Sequence, residues 1–127
     1  MKKLKSICLI TPDVQGLCDF YAHMLEVTPE GDRTFATIST PEISLSISST
    51  QLTENMAPGL EINSRGGNCF LEFEVDDVDM EYERLRTLNV EVVKLPTTQP
   101  WGLRSVWFRD PQGNLINFYA RVAHAGS

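Results

Sequence analysis

The sequence predicts an α+β fold in which one β-α-β-β-β unit occurs twice. Three observations lead there. First, Leu9-Ile10-Thr11-Pro12-Asp13-Val14 opens an amphipathic stretch running to about Leu25, and sixty-four positions later Phe73-Glu74-Val75-Asp76-Asp77-Val78 opens a second one running to about Leu88. A long-period repeat is an architecture signal and ranks ahead of any local motif. Second, in each copy an apolar run is closed by an aspartate that can cap the helix behind it. Third, each helical stretch is followed by short alternating or β-branched runs separated by turn residues.

In the first unit, Lys5 to Thr11 reads as a strand. Pro12 cannot donate to a ladder, so the strand ends there and Asp13 caps the next element. From Val14 to Leu25, the residues Leu17, Phe20, Tyr21, Met24 and Leu25 recur at spacings of three and four, one face of a helix. Thr28-Pro29-Glu30-Gly31-Asp32 is a turn-rich break. Arg33 to Ser39 and Glu42 to Ser48 form an antiparallel pair about Thr40-Pro41. In the second of these, Ile43, Leu45 and Ile47 alternate with Ser44, Ser46 and Ser48.

Ser49 to Gly67 is the least patterned stretch, with turn signals at Pro58-Gly59 and Ser64-Arg65-Gly66-Gly67. It is expected to join the units as a loop or lid. The second unit begins with a strand from Cys69 to Val75. A helix follows from Asp77 to Leu88, with Met80, Tyr82, Leu85 and Leu88 as its apolar residues. Val90 to Lys94 is a short strand and Leu95 to Gly102 a loop. Leu103 to Arg109 and Leu115 to Arg121 are strands joined by Asp110-Pro111-Gln112-Gly113-Asn114, and Val122 to Ser127 is a frayed tail. The expected organisation is a single domain over 1–127, with unit one at about 4–50, a linker at about 51–67 and unit two at about 68–121.

At 127 residues the chain is long enough for a substantial core. Its net charge of −6 disfavours nucleic acid and anionic membrane surfaces as partners, because both are held by clustered Lys and Arg. The apolar run from Ile7 to Ile10 is too short for a secretory signal, so a cytoplasmic location is expected. Cys8, Cys18 and Cys69 are odd in number and lack CxxC spacing, which argues against disulfides and structural zinc. Cys8 and Cys69 read as small buried hydrophobes within strands.

Alternation assigns the strand faces. Ile7 and Leu9, Leu71, Phe73 and Val75, Val106 and Phe108, and Ile116 and Phe118 should pack beneath the helices. The opposite, concave face then carries Ser6, Cys8, Phe70, Glu72, Trp107, Asn117 and Tyr119, a polar and aromatic mixture suited to binding a small molecule.

Several stretches resemble the vicinal oxygen chelate superfamily, the group of glyoxalase I, extradiol dioxygenases and bleomycin-resistance proteins. They are Ser6 to Asp13 with Phe20-Tyr21 and Met24-Leu25, then Phe70 to Asp79, then Pro100-Trp101-Gly102-Leu103-Arg104 leading to Phe108-Arg109-Asp110-Pro111-Gln112-Gly113-Asn114. The resemblance covers nearly the whole chain. It implies two curved mixed sheets forming a cup with helices on the outer face, and a homodimer. It also implies that metal-dependent members place ligands at positions matching Ser6, Phe70 and Asn117. Serine and a neutral amide bind a divalent ion weakly and phenylalanine offers no donor, so no metal or other cofactor is expected. His23 lies in the first helix and His124 in the tail, away from those positions.

The expected function is therefore non-catalytic binding, by sequestration, of a cationic or planar aromatic drug or metabolite, as in the bleomycin-resistance-like branch. Phe70, Trp101 and Trp107 would stack on the ligand and Glu72 would supply a counter-charge, with no catalytic residue assigned. Trp101 also suits a dimer contact. Glu72 is read as a specificity or surface carboxylate ahead of a general base. The alternatives are a metal-dependent lyase, isomerase or dioxygenase of the same superfamily, and a subunit that pairs with another protein through strand edges.

Overall fold

The computed structural model describes residues 1–62 and 70–122. The chain divides into two compact units, Met1–Ser64 and Arg65–Ser127. The first contains β1 (Ser6–Thr11), α1 (Val14–Leu25), β2 (Glu30–Gly31), β3 (Phe35–Ser39), β4 (Ser44–Ser49) and α2 (Thr50–Met56). The second contains β5 (Phe70–Glu74), α3 (Val78–Thr87), β6 (Val92–Thr98), β7 (Leu103–Arg109) and β8 (Leu115–Arg121). The α+β class follows, with two four-stranded mixed sheets ordered β1-β4-β3-β2 and β5-β8-β7-β6.

The two sheets share one topology. In each, the strand before the first helix pairs in parallel with the unit's last strand, and the other pairings are antiparallel. The repeat in the sequence is thus a repeat of structure.

In unit one, Asp13 caps α1 by accepting from Gly16 N at 3.0 Å, and Thr11 Oγ1 accepts from Asp13 N at 3.0 Å. The helix buries Val14, Leu17, Cys18, Tyr21 and Met24. Phe20 and Leu25 lie only half-buried beside this stripe, and Phe20 meets Tyr21 edge-on at 5.3 Å. Beneath α1 lie Leu9, Leu45, Ile47, Ala36 and Ile38. Each fully buried aliphatic or aromatic side chain contributes about 1.5–3 kcal/mol.

Unit two repeats the plan. Asp77 caps α3 by accepting from Met80 N at 3.1 Å. Asp79 and Glu81 occupy the first turn and Arg84 and Arg86 the last, complementing the helix dipole. The core joins Leu71, Val78, Leu85, Val106, Phe108, Ile116, Phe118 and Ala120. Phe108 and Phe118 meet edge-on with ring centres 4.9 Å apart.

Several expectations need correction. The break at Thr28 to Asp32 contains the short strand β2, paired to β3 through Glu30 and Thr37. The stretch after Ser49 opens with α2. Ser49 Oγ accepts from Leu52 N at 3.0 Å and Thr53 Oγ1 donates to Ser49 O at 3.0 Å. This helix is seven residues long, buries none of them and carries one apolar pair, Leu52 and Met56, too short a pattern to read as a period. The strand expected to stop at Lys94 continues to Thr98 through Pro96. It does so because β6 is an edge strand whose register shifts between Lys94 and Thr97, which keeps Pro96 out of the ladder.

Met80 is 70% exposed and off the packed stripe of α3. Cys8 is exposed, not buried, and Ile7, expected beneath the helix, is 38% exposed, because the first half of β1 is open on both faces and burial begins at Leu9. Ser46 and Ser48, on the face opposite Leu45 and Ile47, are buried too, and Ser48 Oγ meets Thr53 Oγ1 of α2 at 3.0 Å. Val122 is tied in by donating its N–H to Gly102 O at 3.0 Å. Cys69, the turn at 64–67 and His124 lie outside the described residues. Among the described residues no helix is long and apolar enough to cross a membrane.

Candidate ligand-binding face

The α3 helix packs on one face of the second sheet and leaves the other to a different set of side chains. Strand register fixes which. Glu72 pairs with Asn117, Asn117 with Trp107, and Trp107 with Lys94, so one row crosses β5, β8, β7 and β6. Directly opposed residues of a sheet share a face. Glu74, Tyr119 and Ser105 form the next row on that face, and Phe70 with Leu115 the previous one.

The turns that set this register are built from the sequence. Between β7 and β8, Asp110 Oδ1 accepts from Gln112 N and Asn114 N, each at 2.9 Å, while Asn114 Nδ2 donates to Asp110 Oδ2 at 2.9 Å. Gly113 supplies a φ of 93°, where a side chain would be strained. Between β6 and β7, Gly102 N donates to Gln99 O at 3.0 Å, closing a turn with Pro100 in its favoured second position.

Within the row, Asn117 Nδ2 donates to Glu72 Oε2 at 2.9 Å. Phe70 and Trp107 bring their ring centres to 4.9 Å at a 55° tilt. Lys94 Nζ lies 4.6 Å from the centre of the Trp107 ring, a cation–π contact. Two polar atoms of the row are buried and have no hydrogen-bond partner among the described residues: Trp107 Nε1 and Asn117 Oδ1. One is a donor, the other an acceptor, and they belong to directly paired residues. A buried polar group left unpaired costs about 1–3 kcal/mol.

Of the residues singled out from sequence, Phe70, Glu72, Trp107, Asn117 and Tyr119 share this face of the second sheet. Ser6 belongs to the first unit. There it is exposed and pairs with Ser44 on the face it shares with Cys8 and Ser46. Trp101 is 69% exposed in the β6–β7 turn. Leu103 to Trp107 alone is about 13 Å of strand at roughly 3.3 Å per residue, so Trp101 stands apart from the Phe70–Trp107 pair. Lys94 was missed. Its signal, alternation along β6, is broken by the register shift between Val92 and Lys94. Partial desolvation by its neighbours pushes the exposed Cys8 thiol up from its usual range, which disfavours the nucleophilic thiolate.

The positions that would carry metal ligands do not suit an ion. Phe70 has only a ring, already against Trp107, and Asn117 offers only a neutral amide oxygen, a weak donor for a divalent ion. Among the described residues no three His, Cys, Asp or Glu side chains gather to hold one.

Residues 3–118 match the model of the Glyoxalase/Bleomycin resistance protein/Dioxygenase superfamily, and the chain belongs to that superfamily. Among proteins of similar sequence is YraH of Bacillus subtilis (strain 168), itself uncharacterized. It is 29% identical over 125 residues, spanning 92% of this chain and 97% of the relative. A glyoxalase/bleomycin resistance protein/dioxygenase from Nocardioides is 25% identical and superposes with a TM-score of 0.81, covering 98% of this chain and 87% of that one. A glyoxalase-related enzyme from Fulvimarina pelagi reaches a TM-score of 0.84 at 18% identity, over 95% and 89% of the two chains, a likeness of fold.

Proposed function

We propose that this chain is a binding protein for a planar aromatic drug or metabolite, held on the open face of its second sheet and released unchanged. The observation that carries the reading is the Phe70–Trp107 pair beside the Glu72–Asn117 hydrogen bond. Phe70 is 39% exposed and so retains ring surface for a ligand to cover. The row holds a carboxylate, an amide, an indole and an ammonium group, but no paired nucleophile and base. Lys94 already takes the cation position over Trp107, which leaves a ligand's positive group to Glu72. Trp101 stays in the proposal as an outlying contact and a dimer contact, and Ser6 as a ligand contact on the first unit's own sheet.

The protein would work in the cytoplasm as a homodimer, with no nucleic-acid or membrane partner. The second reading, a metal-dependent lyase, isomerase or dioxygenase, draws its support from membership of the superfamily. A thermal-shift screen of drugs and metabolites, with mass spectrometry of the recovered compound, separates the two, since a ligand of the native state raises Tm. A compound recovered intact, bound more weakly by Phe70→Ala, supports binding. A compound recovered chemically altered overturns it. Light scattering at micromolar concentration tests the dimer.

A further inference from the structure

The open face of the second sheet carries opposite charges at its two edges. Phe70, Glu72 and Glu74 alternate onto it from the edge strand β5, and all three are exposed. Lys94 reaches it from the other edge strand, β6, in the row that Glu72 begins. Each charge leans inward by one strand. Glu72 accepts from Asn117 Nδ2 of β8 at 2.9 Å, and the Lys94 ammonium lies 4.6 Å from the centre of the Trp107 ring of β7. A strand spacing of about 4.8 Å then sets the two charged heads roughly 5–10 Å apart. No ion pair takes up Glu72, Glu74 or Lys94 among the described residues. Arg109, on this face in the row of Phe70, differs: Glu91 holds its Nε at 3.0 Å and Gly113 O its Nη1 at 2.9 Å. Arg121 lies at the far end of β8, about 13 Å from the Glu72 row. The aromatic Phe70–Trp107 pair stands alongside the two free charges, with Trp107 in their own row.

We propose that the ligand class of this face is a zwitterionic aromatic compound, a flat ring with an ammonium group at one end and a carboxylate at the other. The ring lies on Phe70, the ammonium goes to Glu72 and the carboxylate to Lys94. This rests on the binding reading above and narrows it. Lys94 serves the indole and the ligand together, since an ammonium has three N–H donors and the ring face takes only one side of it. Glu72 keeps acceptor capacity beyond its bond from Asn117, because an ionised carboxylate has about four lone-pair sites. A ring with only a positive charge leaves Lys94 uncompensated, and a ring with only a negative charge leaves Glu72 so. A ligand with both, one at each end, meets an opposite charge twice.

Three probes built on one ring test it on the full chain: 4-(aminomethyl)benzoate, with both charges; 4-methylbenzylamine, with the ammonium alone; and 4-methylbenzoate, with the carboxylate alone. Calorimetry gives the affinities, and mass spectrometry shows whether each probe returns unchanged. The zwitterion is expected to bind about fivefold tighter than either analogue, the worth of one exposed ion pair. Glu72→Gln should abolish its advantage over 4-methylbenzoate and keep its advantage over 4-methylbenzylamine. Lys94→Met should do the reverse. Thermal melts show that the variants fold, and if either does not, the comparison on the unaltered protein decides. A zwitterion bound no tighter than one of the analogues overturns the two-ended recognition and leaves aromatic binding standing. An advantage that survives both substitutions also overturns it, since other groups would then read the charges. If none of the three binds, this inference falls, and the compound screen above judges the binding reading by itself. A probe returned chemically altered removes both.

Discussion

Asn117 and Glu72 face each other across the parallel β8–β5 ladder, and the amide of one donates to the carboxylate of the other at 2.9 Å. The contact joins the edge strand of the second sheet to its interior and decides which end of the amide is free. Glu72 is exposed, so water can replace the amide if it is removed. Asn117→Leu should therefore fold, with stability within about 1 kcal/mol of the parent, because an exposed pair contributes little. Urea unfolding checks this. A loss of several kcal/mol would make Asn117 a structural residue and remove it from the binding face.

A different polar pair should set part of the acid stability. Arg104 grips Asp79 through two hydrogen bonds, Nε to Oδ2 at 2.9 Å and Nη2 to Oδ1 at 2.8 Å, tying β7 to the first turn of α3. The side-chain hydrogen bond from Arg104 holds the Asp79 carboxyl below its usual range and raises Arg104. A carboxylate lowered in the folded state stabilises above its unfolded value of about 4, and that contribution is lost as pH falls through the lowered value. Asp79→Asn should lower Tm at neutral pH, with the difference from the parent shrinking below about pH 4. Asp32, lowered by the backbone N–H groups of Thr34 and Phe35, should behave the same way. Thermal melts across pH give the answer, and a difference that grows on acidification would contradict the assignment.

The turn from Asp110 to Asn114 should be sensitive out of proportion to its size. Asp110 is buried and its carboxylate accepts from Gln112 N, Asn114 N and Asn114 Nδ2. Asp110→Ala leaves those donors to compete for water in a confined place and should cost about 1–3 kcal/mol. Gly113→Ala should cost about 1–2 kcal/mol, because φ is 93° there. Chemical denaturation measures both. If Gly113→Ala were neutral, the turn would be adopting another conformation in solution.

How much of this was legible in the sequence depends on whether an element carries a period. α1 was bounded correctly because Leu17, Tyr21 and Met24 recur on one face, and the packed faces of β7 and β8 followed from the alternation of Val106 with Phe108 and Ile116 with Phe118. α2 was invisible because its seven residues hold one apolar pair, Leu52 and Met56, too little for a period, and its other sign is the Ser49 cap. β6 was cut short because Pro96 reads as a breaker, and only the sheet order reveals an edge strand that tolerates it. Lys94 lay inside the expected strand, but the register shift between Val92 and Lys94 broke the alternation that would have placed it on this face. Cys8 was misplaced by a rule about residue type and Ile7 by alternation, because the first half of β1 is open on both faces. Of the site, Phe70, Glu72, Trp107, Asn117 and Tyr119 share a face as alternation requires. Hydrogen-bond satisfaction, the feature that singles out Trp107 and Asn117, is a property of three-dimensional neighbours that no spacing encodes.

The last prediction concerns metal. By the resemblance, Phe70 and Asn117 in the second unit and Ser6 in the first stand at ligand positions of metal-dependent relatives; the second unit offers a hydrocarbon ring and a neutral amide there, and the first a hydroxyl. A divalent ion stripped of water needs anionic or imidazole donors to compensate for its lost hydration. The carboxylate of Glu72 is in the right row, but it is singly charged and already accepts from Asn117. Protein purified without an affinity tag and dialysed should hold far less than one equivalent of nickel, zinc, iron or manganese by mass spectrometry. Added metal should leave Tm unchanged, since an ion that binds only the native state would raise it. Near-stoichiometric metal that survives dialysis and is lost in Glu72→Gln would place the ion in this row. Binding without turnover would then give way to metal-assisted chemistry.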